Sequence, residues 1–150
     1  MIKIIMKYTF IALFISATMA FSCSSPSVAS DDTEATGIDF KKLSLDQALN
    51  LAEEQGKLVF IDAFTTWCGP CKKMARTTFK NEEVGAYFNE HFISIKVDME
   101  RGEGPKLEKK YDIRSYPTLL FLETSGKQKK KLVGFHQKGE FLRLAKKIAR

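Results

Sequence analysis

The stretch TTWCGPCKKM, Thr65 to Met74, sets two of the chain's three cysteines three positions apart, where one kind of periodicity gives way to another. Upstream, Leu58 to Ile61 in KLVFIDAF form a continuous apolar run of the kind carried by a strand buried on both faces. Downstream, Cys71, Met74, Ala75, Thr78 and Phe79 recur at helical spacing, while Lys72, Lys73, Arg76 and Lys80 fall on the opposite face. The cysteines therefore sit on a strand-to-helix junction, where three readings compete. A structural staple gains little from so short a loop, because the stabilisation grows with the length of chain closed. A zinc site needs four ligands, yet no second CxxC exists and His91 and His136 are far off in sequence, so no metal is expected. A redox pair has a positive physical reason. Cys68 falls at the N-terminal edge of the helix, where unpaired backbone N–H groups and the helix dipole stabilise a thiolate, and Lys72, Lys73 and Arg76 add positive charge. Cys68 is the expected nucleophile. Cys71, one turn in and on the apolar face, is expected to be more buried, to keep its proton and to act as the resolving thiol. Gly69 and Pro70 keep the loop tight, and Trp67 is placed to cover one side of the sulfurs.

Working outward, SLDQALNLAEEQ from Ser44 opens with a capping-box pattern, Ser44 with Gln47, and places Leu45, Ala48, Leu49 and Ala52 on one face of a helix that stops at Gly56. Asn81 caps a second helical stretch, EEVGAYFNEH, after which FISIKVD alternates as a strand. GEGPKLEKKY is a short helix with Pro105 near its first position. After SYP, TLLFLE reads as another buried strand, TSGK as a hairpin turn and KKLVGF as its return. The chain closes on an amphipathic helix, KGEFLRLAKKIAR, carrying Phe141, Leu142, Ala145 and Ile148. Parallel strands first and an antiparallel hairpin last make an α/β fold, a mixed four- or five-stranded sheet flanked by helices. At 150 residues this is one domain, expected over residues 38–150.

The first 37 residues read differently. MIKIIMK supplies a short basic segment and YTFIALFISATMAF an apolar one, short for a membrane span and of the length of a signal peptide's core, so residues 1–22 are expected to be an export signal. Residues 23–37, CSSPSVASDDTEATG, lack an apolar face and read as a flexible tether. Cys23 lies at the boundary between them. AFSC resembles a bacterial lipobox, which makes Cys23 a candidate for lipidation and the protein a lipid-anchored one on the periplasmic side of the cell envelope. The rival reading cuts after Ala20 and releases a soluble periplasmic protein with an odd thiol, a liability in an oxidising compartment. The net charge of +6 includes Lys3 and Lys7 of the signal, and the remainder is only mildly basic. The KQKKK run at 127–131 has no accompanying aromatic motif, so it reads as a solvated hairpin, and no nucleic-acid partner is expected.

WCGPCK at such a junction resembles the active-site motif of the thioredoxin family. The resemblance extends over about residues 42–150. Asp62 lies six positions before Cys68, as the family's buried acid does; YDIRSYPTLLFL resembles the region of the family's cis-proline, here Pro117; and KLVGFHQKGEF resembles its C-terminal hairpin and helix entry. TTFKNEEVGAYFNEHFISIKVD is closer to exported thioredoxin-like domains, such as the C-terminal domain of the transmembrane disulfide-bond reductant. The resemblance implies a thioredoxin fold and thiol–disulfide exchange with protein substrates, without a bound cofactor. It implies that Asp62, with a pKa raised by desolvation, takes the Cys71 proton, and that Trp67, Gly69, Pro70, Tyr116 and Pro117 line the substrate site. Lys96 lies in the strand where the family carries a lysine partner for the acid, but alternation alone does not fix which way it points. The CGPC loop favours a reductant fed by a membrane electron donor. An oxidase or isomerase of the same fold and a non-catalytic peptide-binding lipoprotein are the alternatives.

Overall fold

The computed structural model describes residues 37–150. The expected export signal and nearly all of the expected tether, Cys23 included, lie outside them. Five strands and five helices follow in the order β1 (Phe40–Lys41), α1 (Leu45–Gln55), β2 (Leu58–Phe64), α2 (Gly69–Arg76), α3 (Glu82–His91), β3 (Phe92–Asp98), α4 (Gly104–Lys110), β4 (Thr118–Leu122), β5 (Gln128–Val133) and α5 (Lys138–Ile148). A single 3-10 turn, Thr78–Lys80, joins α2 to α3. The strands form one sheet in the order β1-β3-β2-β4-β5. β1, β3 and β2 run parallel, and β4 and β5 run antiparallel to their neighbours. This is the mixed α/β sheet that the order of elements predicts, with β2 at its centre.

Local chemistry fixes the helix ends. Ser44 and Gln47 form the full capping box of α1, and Gly56 closes that helix in the left-handed conformation, which costs an L side chain more than glycine. Asn81 caps α3 through its side chain on the Val84 N–H. α2 is shorter than the apolar spacing suggests. It ends at Arg76, and Thr78 and Phe79 reach the core from the 3-10 turn instead.

The sheet separates two apolar layers. One lies under α1 and α4 and contains Ala48, Val59, Ile61, Ile95, Leu107 and Leu120. The other lies under α2, α3 and α5 and is built from phenylalanines: Phe60 meets Phe88 edge-on at 4.9 Å between ring centres, and Phe88 stacks on Phe141 at 4.8 Å. Edge-to-face and offset pairs of this kind add about 0.5–1.5 kcal/mol each beyond the area they bury. β1 is a two-residue strand that the sequence does not announce. It is held by its register on β3 and by the Phe40 ring, 5.3 Å from that of Phe79.

The start of the domain is fastened by a backbone-on-backbone contact. Ile38 N–H donates to the Phe79 carbonyl at 2.8 Å, and Gly37 packs on Gly85 of α3 so closely that a Cβ at position 85 would lie 2.3 Å from the Gly37 carbonyl carbon. Backbone cannot swing aside as a flexible side chain does. Gly85→Ala is therefore expected to destabilise the fold by about 2–3 kcal/mol, read as a lower denaturation midpoint with an unchanged slope.

Candidate active site

Cys68 and Cys71 are joined in a disulfide at the start of α2. Cys68 is the N-cap residue of that helix, and its sulfur accepts the Cys71 backbone N–H at 3.1 Å. Pro70 occupies the first turn, where its missing N–H costs nothing. The helix begins here because β2 ends at Phe64 and the Cys68 N–H closes a turn on the Thr65 carbonyl at 3.2 Å. Both sulfur-bearing residues are buried, Cys68 to 3% and Cys71 to 4% relative exposure, so the expected difference in burial does not hold in the disulfide form. Helical periodicity registers only that Cys71 faces the core; it does not register that the closed loop folds Cys68 inward too.

Trp67, next to Cys68 in the chain, stands on the surface of the molecule. It is 65% exposed, its ring stands edge-on to Tyr116 at 6.0 Å, and its indole N–H donates to Glu100 Oε1 at 2.9 Å. Tyr116 in turn donates its hydroxyl to Glu108 Oε1 at 3.1 Å. Desolvation, the bond to Glu108 and the nearby carboxylates of Glu100 and Asp98 hold the Tyr116 hydroxyl above its ordinary pKa, so it remains a donor at neutral pH. Neither glutamate is signalled in the sequence, because each acts through a contact between elements distant in the chain. The Tyr116–Pro117 peptide bond is cis, and the Pro117 carbonyl accepts the Gly134 N–H at 2.8 Å. Ala63 of β2 pairs with Thr118 of β4, which brings Pro117 to the same end of the sheet as the turn that carries Trp67 and Cys68.

Asp62 lies within β2 rather than at its end, two residues before Phe64, and is fully buried. By strand alternation it shares a face with Phe60, the face covered by α2. Its Oδ2 accepts Lys96 Nζ at 2.6 Å, and among the described residues its Oδ1 has no hydrogen-bond partner. Asp62 and Lys96 are paired positions of the parallel strands β2 and β3, so their side chains must emerge on the same side. This register settles the direction of Lys96. The ammonium also stands 4.9 Å from the centre of the Phe40 ring, 5.2 Å from Phe64 and 5.3 Å from Phe79. Burial raises the Asp62 pKa above the usual carboxylate range, and the Lys96 charge and hydrogen bond pull it back only in part. Burial thus favours the protonated carboxyl, which makes Asp62 a candidate proton acceptor.

A family profile described as a thioredoxin-like domain matches residues 45–149. The chain belongs to the thioredoxin-like family. Among the relatives of this thioredoxin-like chain, the thiol:disulfide interchange protein DsbD of Colwellia psychrerythraea is 28% identical over 148 residues, which cover 93% of this chain and 24% of that protein. DsbD of Actinobacillus pleuropneumoniae is 31% identical over 96 residues, 61% of this chain and 16% of its own length. The thioredoxin-like chain thus spans about a quarter or less of these DsbD proteins. The solution structure of a candidate disulphide-isomerase from Bacteroides thetaiotaomicron is 48% identical with a TM-score of 0.69, covering 77% of this chain and 96% of that one. A thioredoxin from Thermus thermophilus, at 22% identity and a TM-score of 0.67 over 75% of this chain and 87% of its own, shares the fold.

Proposed function

We propose that this chain is an exported protein thiol–disulfide oxidoreductase that works as a reductant. The observation that carries the reading is the Cys68–Cys71 pair at a helix N-cap, on the sheet face that also buries Asp62. In the reduced protein, the Cys68 thiolate attacks one sulfur of a substrate disulfide, forming a mixed disulfide and releasing the first substrate thiolate. Cys71 then loses its proton to Asp62 and attacks the Cys68 sulfur, which closes the protein disulfide and releases the second substrate thiolate. Two electrons pass from the pair to the substrate. Trp67, Gly69, Pro70, Tyr116 and Pro117 form the surface on which the substrate chain lies. Insulin reduction tests the activity: turnover is expected, and its absence in freshly reduced protein would leave the fold as a binding scaffold.

The direction rests on the loop. Gly69 and Pro70 offer no side-chain donor or charge to the thiolate, and no histidine lies between the cysteines. A modestly stabilised thiolate leaves the disulfide comparatively stable, and the reduction potential low. Equilibration with glutathione is expected to give a potential below about −180 mV, the value for protein disulfide isomerase. A higher value would make the protein an oxidase. The description of the Bacteroides relative favours a second reading, isomerisation, which recovery of activity from scrambled ribonuclease would report.

The same reading places the protein on the periplasmic side of the cell envelope, anchored through a lipidated Cys23 and supplied by a membrane electron donor, since an oxidising compartment would otherwise keep the pair oxidised. Among the described residues no helix is long and apolar enough to cross a membrane. Cys23→Ser is expected to move the protein from the membrane fraction to the soluble periplasm with its redox activity unchanged. A wild-type protein found soluble, beginning at Phe21, would overturn the anchor.

A further inference from the structure

At the end of α2 away from the disulfide lies a concave surface that thiol chemistry does not use. A groove of about 520 Å³ runs between the C-terminal end of α2, the 3-10 turn and the entry to α5. Lys73, Arg76, Lys80 and Lys138 line it, with Phe135 and Asn81 among their neighbours, and no carboxylate does. Among the described residues none of the four cations has a carboxylate within 4.0 Å. Lys73 instead rests over the Phe135 ring at 4.7 Å. Thr78 donates its hydroxyl to the His136 carbonyl at 2.7 Å, which fixes the Phe135–Gln137 segment against the 3-10 turn and sets the width of the groove.

The chain links the groove to the proposed substrate surface through Gly134 and Phe135. Val133 ends β5 opposite Thr118, the Gly134 N–H after it donates to the Pro117 carbonyl, and Phe135 is the next residue. On the other flank, two carboxylates hold aromatic residues of the site. Glu100 follows β3, on the far side of β2 in the sheet order, and holds Trp67, while Glu108 holds Tyr116.

We infer that the groove is a docking site for an acidic segment of the protein substrate, which orients that substrate across the disulfide. Concavity selects this occupant over a bilayer surface, which is flat and would meet the rims alone. A second copy of the chain, still net positive at +4 without Lys3 and Lys7 (22 basic less 18 acidic residues), brings like charge rather than complementary charge. The inference takes its purpose from the exchange reading, but its test does not depend on exchange.

The test is an NMR titration of the full-length protein, disulfide closed and at low salt, with a cysteine-free peptide carrying Asp-Asp-Glu and with its Asn-Asn-Gln counterpart. The acidic peptide is expected to shift residues 73–81 and 135–138 and to bind about tenfold more tightly than its counterpart, the gap closing as salt screens the charges. Lys80→Gln with Lys138→Gln removes two exposed cations that take no part in the redox site, and is expected to weaken the acidic peptide about fivefold. Equal affinity for the two peptides, shifts centred elsewhere, or an unaltered affinity in the double variant would each overturn the docking site. So would loss of sedimentation with phosphatidylglycerol vesicles in a double variant that still binds the peptide, because the cations would then serve a membrane. Failure of the wild type to reduce insulin would sink the exchange reading alone, and the titration would still decide the groove.

Discussion

Replacing Cys68 by serine is expected to lower insulin reduction about a thousandfold or more, because the alcohol that remains is not ionised at neutral pH and no second nucleophile lies at the helix N-cap. Replacing Cys71 by serine is expected to act differently. Cys68 still attacks, but the mixed disulfide has no neighbouring thiol to resolve it and accumulates as a covalent adduct, visible on non-reducing gels. The distinction rests on position: Cys68 caps the helix and accepts a backbone N–H on its sulfur, whereas Cys71 is one turn further in, on the core side. In the reduced protein, alkylation at neutral pH is expected to strike Cys68 first. Faster labelling of Cys71 would reverse the two roles, whatever the activity of the variants.

The second large effect concerns Asp62. Asp62→Asn is expected to slow resolution of the mixed disulfide about a hundredfold, the lower end of the range for a lost general base, while leaving the first attack intact. The same change is expected to stabilise the fold at neutral pH by about 1–3 kcal/mol, because a buried carboxylate oxygen without a partner is replaced by a neutral group. Lys96 keeps a third of its side chain in solvent and so is not stranded when its partner goes. The pH dependence follows from the direction of the shift. The folded-state pKa of Asp62 is raised, so the folded protein holds that proton more tightly than the unfolded chain does. Wild-type stability from this group is complete below the unfolded carboxylate pKa and is lost as pH rises through the folded value. The advantage of the asparagine variant should therefore shrink on acidification and vanish below about pH 4. Denaturation curves at several pH values check this. A variant no more stable than wild type at pH 7 would show that the Asp62–Lys96 pair stabilises the fold.

Much of the site is written in short-range patterns. The WCGPC loop, the apolar run before it and the helical spacing after it require only neighbouring residues, and the structure puts each of them on the expected element. The features that escaped the sequence depend on pairings between distant segments. β1 has two residues and no periodicity to detect; it is a strand because β3 lies beside it. The direction of Lys96 is set by register with Asp62, 34 residues away, and the alternation of FISIKVD is as compatible with a solvent-facing lysine as with a buried one. Glu100 and Glu108 are ordinary charged residues until the fold carries them to Trp67 and Tyr116. Conversely, the capping box of α1, the Asn81 cap of α3 and the apolar spacing of α5 are legible because a helix repeats within its own length.

The order of the strands also bears on how copies of the chain meet at high concentration. An open sheet has two rims, each a row of backbone groups able to recruit a strand from another molecule. Here one rim is β1, two residues long and too brief to template a ladder. The other is β5, which carries Lys129 and Lys130, with a break in register opposite Phe121 and Leu122, while Lys131 donates to the Tyr111 and Asp112 carbonyls. Two such rims brought side by side would place like charges against one another on a locally irregular strand. The lysine run thus works against edge-to-edge pairing between copies of the chain.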